Sequence, residues 1–73
     1  MVFENGTKVK RISYPDDIGM VVGEENVESM EITLDGTGNP WVKVVYDDGE
    51  VIVHNSSYLA TIALEDNHNQ ESN

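Results

Sequence analysis

The segment Trp41-Val42-Lys43-Val44-Val45-Tyr46-Asp47-Asp48-Gly49-Glu50-Val51-Ile52-Val53-His54 restricts the fold more than any other part of the chain. Two runs rich in β-branched residues flank Asp48-Gly49. That dipeptide suits a type I′ hairpin turn, whose two central residues both need φ > 0. Strand periodicity places Val42, Val44 and Tyr46 on one side of the first strand and Lys43 and Val45 on the other. Across the turn, Val51 and Val53 share a face and Ile52 takes the opposite one. A two-stranded hairpin this apolar is not stable alone in water, so it belongs to a larger sheet.

The rest of the chain supplies that sheet. Strands are expected over 8–13, 18–22, 41–46, 50–54 and 61–64, residues 31–34 admit a further short one, and 55–58 suits one tight helical turn. Pro15-Asp16-Asp17 reads as a turn, and Asp35-Gly36 followed by Thr37-Gly38-Asn39-Pro40 reads as a loop. Residues 24–30 are polar and show no clear period. Short strands punctuated by glycine and proline point to an all-β fold, a small barrel of about five strands spanning 1–64. Residues 65–73 carry no apolar side chain and are expected to form a disordered acidic and polar tail. At 73 residues the core is small, with about 60–65% of the unfolded surface buried, and no cysteine is present to reinforce it. No apolar run approaches the roughly 18 residues of a membrane span, and the N-terminus lacks the blocks of a signal peptide. A cytoplasmic protein with no membrane partner is expected.

Charge adds a second constraint. Fourteen Asp and Glu against four Lys and Arg give a formal net charge of −10. Lys8, Lys10 and Arg11 lie near the start, and Lys43 is the only basic residue after them apart from histidine. Such a field repels phosphate backbones, so direct nucleic-acid binding is disfavoured. Solubility alone accounts for an acidic surface; the sharper reading is a partner protein with a basic surface, or mimicry of nucleic acid toward a DNA-binding protein.

The order Gly6-Thr7-Lys8-Val9-Lys10, Gly19-Met20-Val21, Val42 to Gly49 and Tyr58-Leu59 resembles SH3-like barrels of the Tudor type over about residues 3–64. The Tudor-like C-terminal domains of bacterial helicases are similar in order and spacing. So are the RNA polymerase-interacting modules of the transcription-repair coupling factor and the small SH3-like subunit of photosystem I. The resemblance implies a protein-docking barrel. An isolated acidic barrel with a polar tail further resembles bacteriophage-encoded proteins that bind host RNA polymerase, which would place it in the host cytoplasm. A structural accessory subunit is the alternative the same fold implies. These motifs specify a backbone rather than a partner, because glycines and core valines are needed whatever the barrel binds.

No catalytic constellation is visible: no cysteine nucleophile, no phosphate-binding glycine loop, no H-E-x-x-H or G-x-S-x-G. The reading is a non-enzyme with no cofactor and no metal site. His54 and His68 are too separated for ligand spacing, and His54 reads as a hairpin-edge residue. The partner-binding candidates are Tyr14, Asp16, Asp17, Trp41, Asp47 and Asp48. Turn carboxylates beside exposed aromatic rings suit incoming Lys or Arg side chains through charge-assisted and cation–π contacts. Tyr46, in phase with Val42 and Val44, reads instead as core. The chain is expected to act as a monomer.

Overall fold

The computed structural model describes residues 3–65. The fold is all-β, with six strands in the order β1 (Val9–Ser13), β2 (Gly19–Val21), β3 (Val27–Leu34), β4 (Pro40–Tyr46), β5 (Val51–Asn55) and β6 (Thr61–Leu64). One 3₁₀ turn, Ser56–Tyr58, separates β5 from β6. Two antiparallel three-stranded sheets result, ordered β2-β1-β6 and β3-β4-β5. They meet where the segment before β1 pairs with β3. Gly6 N–H donates to Ile32 O at 2.7 Å, Ile32 N–H donates to Thr7 O at 2.8 Å, and Lys8 bridges Glu31. Among the described residues, no helix is long and apolar enough to cross a membrane.

One core lies between the sheets: Val9, Ile12, Val27, Met30, Ile32, Val42 and Val44. Val42 and Val44 follow the period-2 alternation of a strand, whereas Val9 with Ile12, and Val27 with Met30, are three residues apart. Pairing registers shift between Val9 and Arg11 in β1 and between Val27 and Ser29 in β3. An extra residue in each strand, at Lys10 and at Glu28, lets both members of each pair point inward. This is why 24–30 shows no strand period although half of it is strand. β3 starts at Val27, four residues before the expected 31–34 segment.

The turns also differ from expectation. Tyr46 N–H donates to Glu50 O at 2.9 Å and Gly49 N–H donates to Tyr46 O at 2.9 Å. Gly49 has φ 91°, while Asp48 is not among the residues with positive φ. The loop is therefore three residues long, a type I turn followed by a left-handed residue, and not the two-residue I′ turn. The same construction joins β1 to β2. There Tyr14 N–H donates to Ile18 O at 2.7 Å, Asp17 N–H to Tyr14 O at 2.9 Å, and Asp17 has φ 73°. It also joins β3 to β4, where Asp35 N–H donates to Asn39 O and Gly38 N–H to Asp35 O, both at 3.0 Å. In the first two loops the Asp at the third position accepts the N–H at the fifth: Asp16 Oδ1 from Ile18 at 3.1 Å, Asp48 Oδ1 from Glu50 at 2.9 Å. The turn with two consecutive left-handed residues lies at Glu25 (φ 53°) and Asn26 (φ 68°), closed by Val27 N–H on Glu24 O at 3.0 Å.

Tyr46 packs against the core, as its phase requires, and its hydroxyl donates to Met20 Sδ at 3.4 Å. The 3₁₀ turn is capped by Asn55, whose side chain accepts Ser57 N–H at 2.9 Å. Glu65 remains tied to the fold through its N–H on Lys8 O at 3.1 Å. The rest of the expected disordered tail, 66–73, lies outside the described residues.

Candidate functional site

The β4–β5 loop and the β2–β3 turn meet at one end of the molecule, where Asp47 N–H donates to Asn26 O at 2.8 Å. Together they enclose an open concavity of about 580 Å³ lined by Glu25, Asn26, Tyr46, Asp47, Asp48 and Glu50. Four carboxylates thus share one rim, with no lysine or arginine among the lining residues. The two ion pairs among the described residues are elsewhere: Lys8 Nζ to Glu31 Oε1 at 3.3 Å and Lys43 Nζ to Glu31 Oε2 at 3.7 Å. Half of the chain's Lys and Arg side chains converge on Glu31 while the rim acids face solvent. Chemically, the rim suits ammonium or guanidinium groups, whose charge it can neutralise.

A second feature lies on the outer face of the β3-β4-β5 sheet. Trp41, Thr33, Leu34, Asp35 and Val53 line a groove of about 290 Å³. The indole is fixed there because Trp41 Nε1 donates to Asp35 Oδ2 at 3.0 Å. Asp35 Oδ1 accepts from Thr37 Oγ1 at 2.7 Å, from Thr37 N–H at 2.9 Å and from Asn39 N–H at 3.0 Å. The Thr37 hydroxyl first, then the Trp41 indole and the loop amides, hold the Asp35 carboxyl well below the usual carboxylate range; slight burial opposes them. A charged Asp35 therefore organises the loop and presents the indole.

Tyr14 belongs to a third place. Its hydroxyl meets His54 Nδ1 at 2.5 Å, and the rings stand 5.8 Å apart at 58°. This contact ties the end of β1 to the end of β5 across the two sheets. His54 Nε2 is buried without a hydrogen-bond partner among the described residues, and burial pushes the imidazole pKa down. His54 thus does more than occupy a hairpin edge.

The six partner-binding candidates therefore divide. Asp47 and Asp48 share the acidic rim, and Trp41 lines the outer groove. Tyr14 pairs with His54 at the strand-end side of the β4–β5 hairpin, and Asp16 and Asp17 shape the exposed β1–β2 loop near it. Trp41 and Asp47 sit at opposite ends of β4, roughly 20 Å apart at about 3.3 Å per residue. Sequence reasoning passed over Glu25, Asn26 and Glu50 at the rim. Asp35 was read only as a turn residue, although the spacing Asp35-x-Thr37-x-Asn39-x-Trp41 alternates donors on one side of it. Comparisons with protein-family models, with curated proteins and with solved structures returned no match.

Proposed function

We propose that this chain is a protein-binding module whose acidic rim docks on a basic protein surface, and that it acts as a small transcription regulator of the bacteriophage type on bacterial RNA polymerase. One observation carries the docking half of the reading: Glu25, Asp47, Asp48 and Glu50 gather around a single concavity with no lysine or arginine among its lining residues. Grouping like charges raises the local potential and steers a basic partner into encounter. The resemblance to polymerase-interacting Tudor-like modules supplies the choice of target. Regulation follows from occupancy, because a bound acidic barrel on a basic surface excludes DNA or another factor from it. Trp41, held by Asp35 on the outer face, supports a second contact of the aromatic-anchor kind.

The test is association with purified bacterial RNA polymerase, measured at low and high salt. Asp47→Lys with Asp48→Lys is expected to slow association and flatten its salt dependence, because exposed charges act mainly on the encounter. Equal association of parent and variant at both salts would remove the rim from the interface. No association of the parent with the polymerase would remove that target.

A further inference from the structure

We infer that a second copy of this chain adds to the free edge of β5, pairing the Val51–Asn55 strands of two molecules antiparallel about a two-fold axis at Ile52. Among the described residues, β5 is the last strand of its sheet, bonded to β4 on one side alone. Its partners across β4 are Val51 with Val45, Ile52 with Val44 and Val53 with Lys43. The Tyr46–Glu50 hydrogen bond fixes the phase of the antiparallel ladder. Bonded pairs alternate along such a ladder, so Ile52 and His54 spend their main-chain groups on β4. The N–H and C=O groups of Val51 and Val53 then point to the open side.

The side chains leave that side open too. Val51 is 52% exposed, Ile52 39% and Val53 49%. Protein edges are ordinarily guarded by lysine, proline, a bulge or a covering loop. Here the register shifts fall in β1 and β3, and the exposed run of β5 is Val-Ile-Val with no charge in it.

Register selects a second copy as the occupant, because Val51-Ile52-Val53 reads the same in both chain directions and is its own antiparallel complement about Ile52. Antiparallel pairing about Ile52 sets Val51 opposite the partner's Val53, Ile52 opposite the partner's Ile52, and Val53 opposite the partner's Val51. The two outward pairs exchange about four main-chain hydrogen bonds. On the outer face this joins Val51 and Val53 of both copies into one stripe, continuous with Val45 on β4. The acids flanking the paired run do not fall opposite one another in this register. Asp48 falls level with the partner's Ser56, which separates the two Asp48 positions by roughly 26 Å at about 3.3 Å per residue. That exceeds the Debye length of about 8 Å at physiological ionic strength. Glu50 falls level with the partner's His54, which puts a carboxylate opposite an imidazole rather than another acid. The assembly would carry Glu25, Asp47 and Asp48 of the two rims toward its two ends, while Glu50 of each copy lies at the paired edge.

Sedimentation of the full chain over a concentration series tests this, with the dimer expected to dissociate on dilution. Val51→Lys with Val53→Lys sets lysines directly opposite each other across the axis while lowering the net negative charge, so its expected loss of the dimer is not a general repulsion. Thermal melting followed by circular dichroism confirms that the variant remains folded, since both side chains are half exposed. Ile52→Cys gives a readout that does not depend on weakening the contact. Residues facing each other in a non-bonded antiparallel pair lie within disulfide reach, so Ile52→Cys is expected to cross-link on oxidation and Ser57→Cys is not. A single monomeric species at every concentration would overturn the inference. So would a double-lysine variant that stays dimeric, or cross-linking of Ser57→Cys equal to that of Ile52→Cys.

Discussion

β4 and β5 are two strands of one hairpin, both rich in valine, with opposite fates. Val42 and Val44 on β4 are completely buried, whereas Val51, Ile52 and Val53 on β5 are 52%, 39% and 49% exposed. Composition does not separate them; position does. β4 has a neighbour on each side and the second sheet beneath it, while β5 closes its sheet. Met30, Val44 and Ile52 form one row across β3, β4 and β5, all on the core-facing side. Exposure along that row rises from 1% and 0% to 39%. An apolar strand is thus core or surface according to what its sheet places beside it.

The row provides the largest test. Met30→Ala is expected to cost about 2–5 kcal/mol, since it empties a fully enclosed site. Ile52→Ala should cost less than half of that, because much of its surface already meets water. Denaturant unfolding of the two variants measures both, and equal losses would show that β5 is buried in solution.

The connection between the two strands comes next. Gly49→Val forces a β-branched residue into the left-handed region at φ 91°, at about 1–3 kcal/mol. Gly19→Ala should cost about 1–3 kcal/mol for a different reason: a Cβ there would collide with the main-chain carbonyl of Ile12. Gly36→Ala, whose Cβ would meet open space, serves as the near-neutral control in the same melting series.

A smaller effect is expected where β5 is held to the other sheet. Tyr14→Phe removes the hydroxyl that meets His54, costing about 0.5–1.5 kcal/mol. His54 also adds a pH dependence. Its folded pKa lies below the ordinary 6.5, so the unfolded chain takes up the proton first as pH falls. Its contribution is complete above about 6.5 and is lost as pH falls through the lower folded value. Melting of the parent at pH 7.5 and pH 5.5 should show this loss, and His54→Gln should reduce it.

The smallest expected effect concerns the outer face. Asp35→Ala releases the indole of Trp41 and should shift its fluorescence emission. In the parent, that emission should hold as pH falls below the ordinary aspartate value of about 3.9, because the hydrogen bonds keep Asp35 charged to lower pH. Its contribution is present above the unfolded pKa and is lost as pH falls through the depressed folded one. An emission change centred near pH 4 would mean that the carboxylate does not hold the indole.

Much of the architecture was legible in the chain. The β4–β5 hairpin, the 3₁₀ turn and β6 follow from local alternation and turn residues, which need no distant partner to act. β3 was half hidden, because the extra residue at Glu28 breaks the period that a strand search relies on. The turn type at Asp48-Gly49 was misjudged because one left-handed glycine serves both the two-residue and the three-residue loop, and Asp47 settles the choice by bonding to Asn26. At the rim, Asp47 and Asp48 were legible as exposed turn acids, but Glu25 is more than twenty positions away and no local pattern brings it there.

By itself, the order of residues determined the all-β class, the sites of the hairpins, the inward phase of Val42, Val44 and Tyr46, and the excess of negative charge. These depend on φ/ψ preferences and side-chain alternation, which act over a few residues. Tertiary structure alone decided that β4 is buried and β5 is not, that Tyr14 meets His54 between sheets, and that Glu25 joins Asp47, Asp48 and Glu50 at one rim. Each of those depends on which strands become neighbours. Neighbours are chosen by the burial of the whole core at once, a cooperative quantity that no short window of sequence contains.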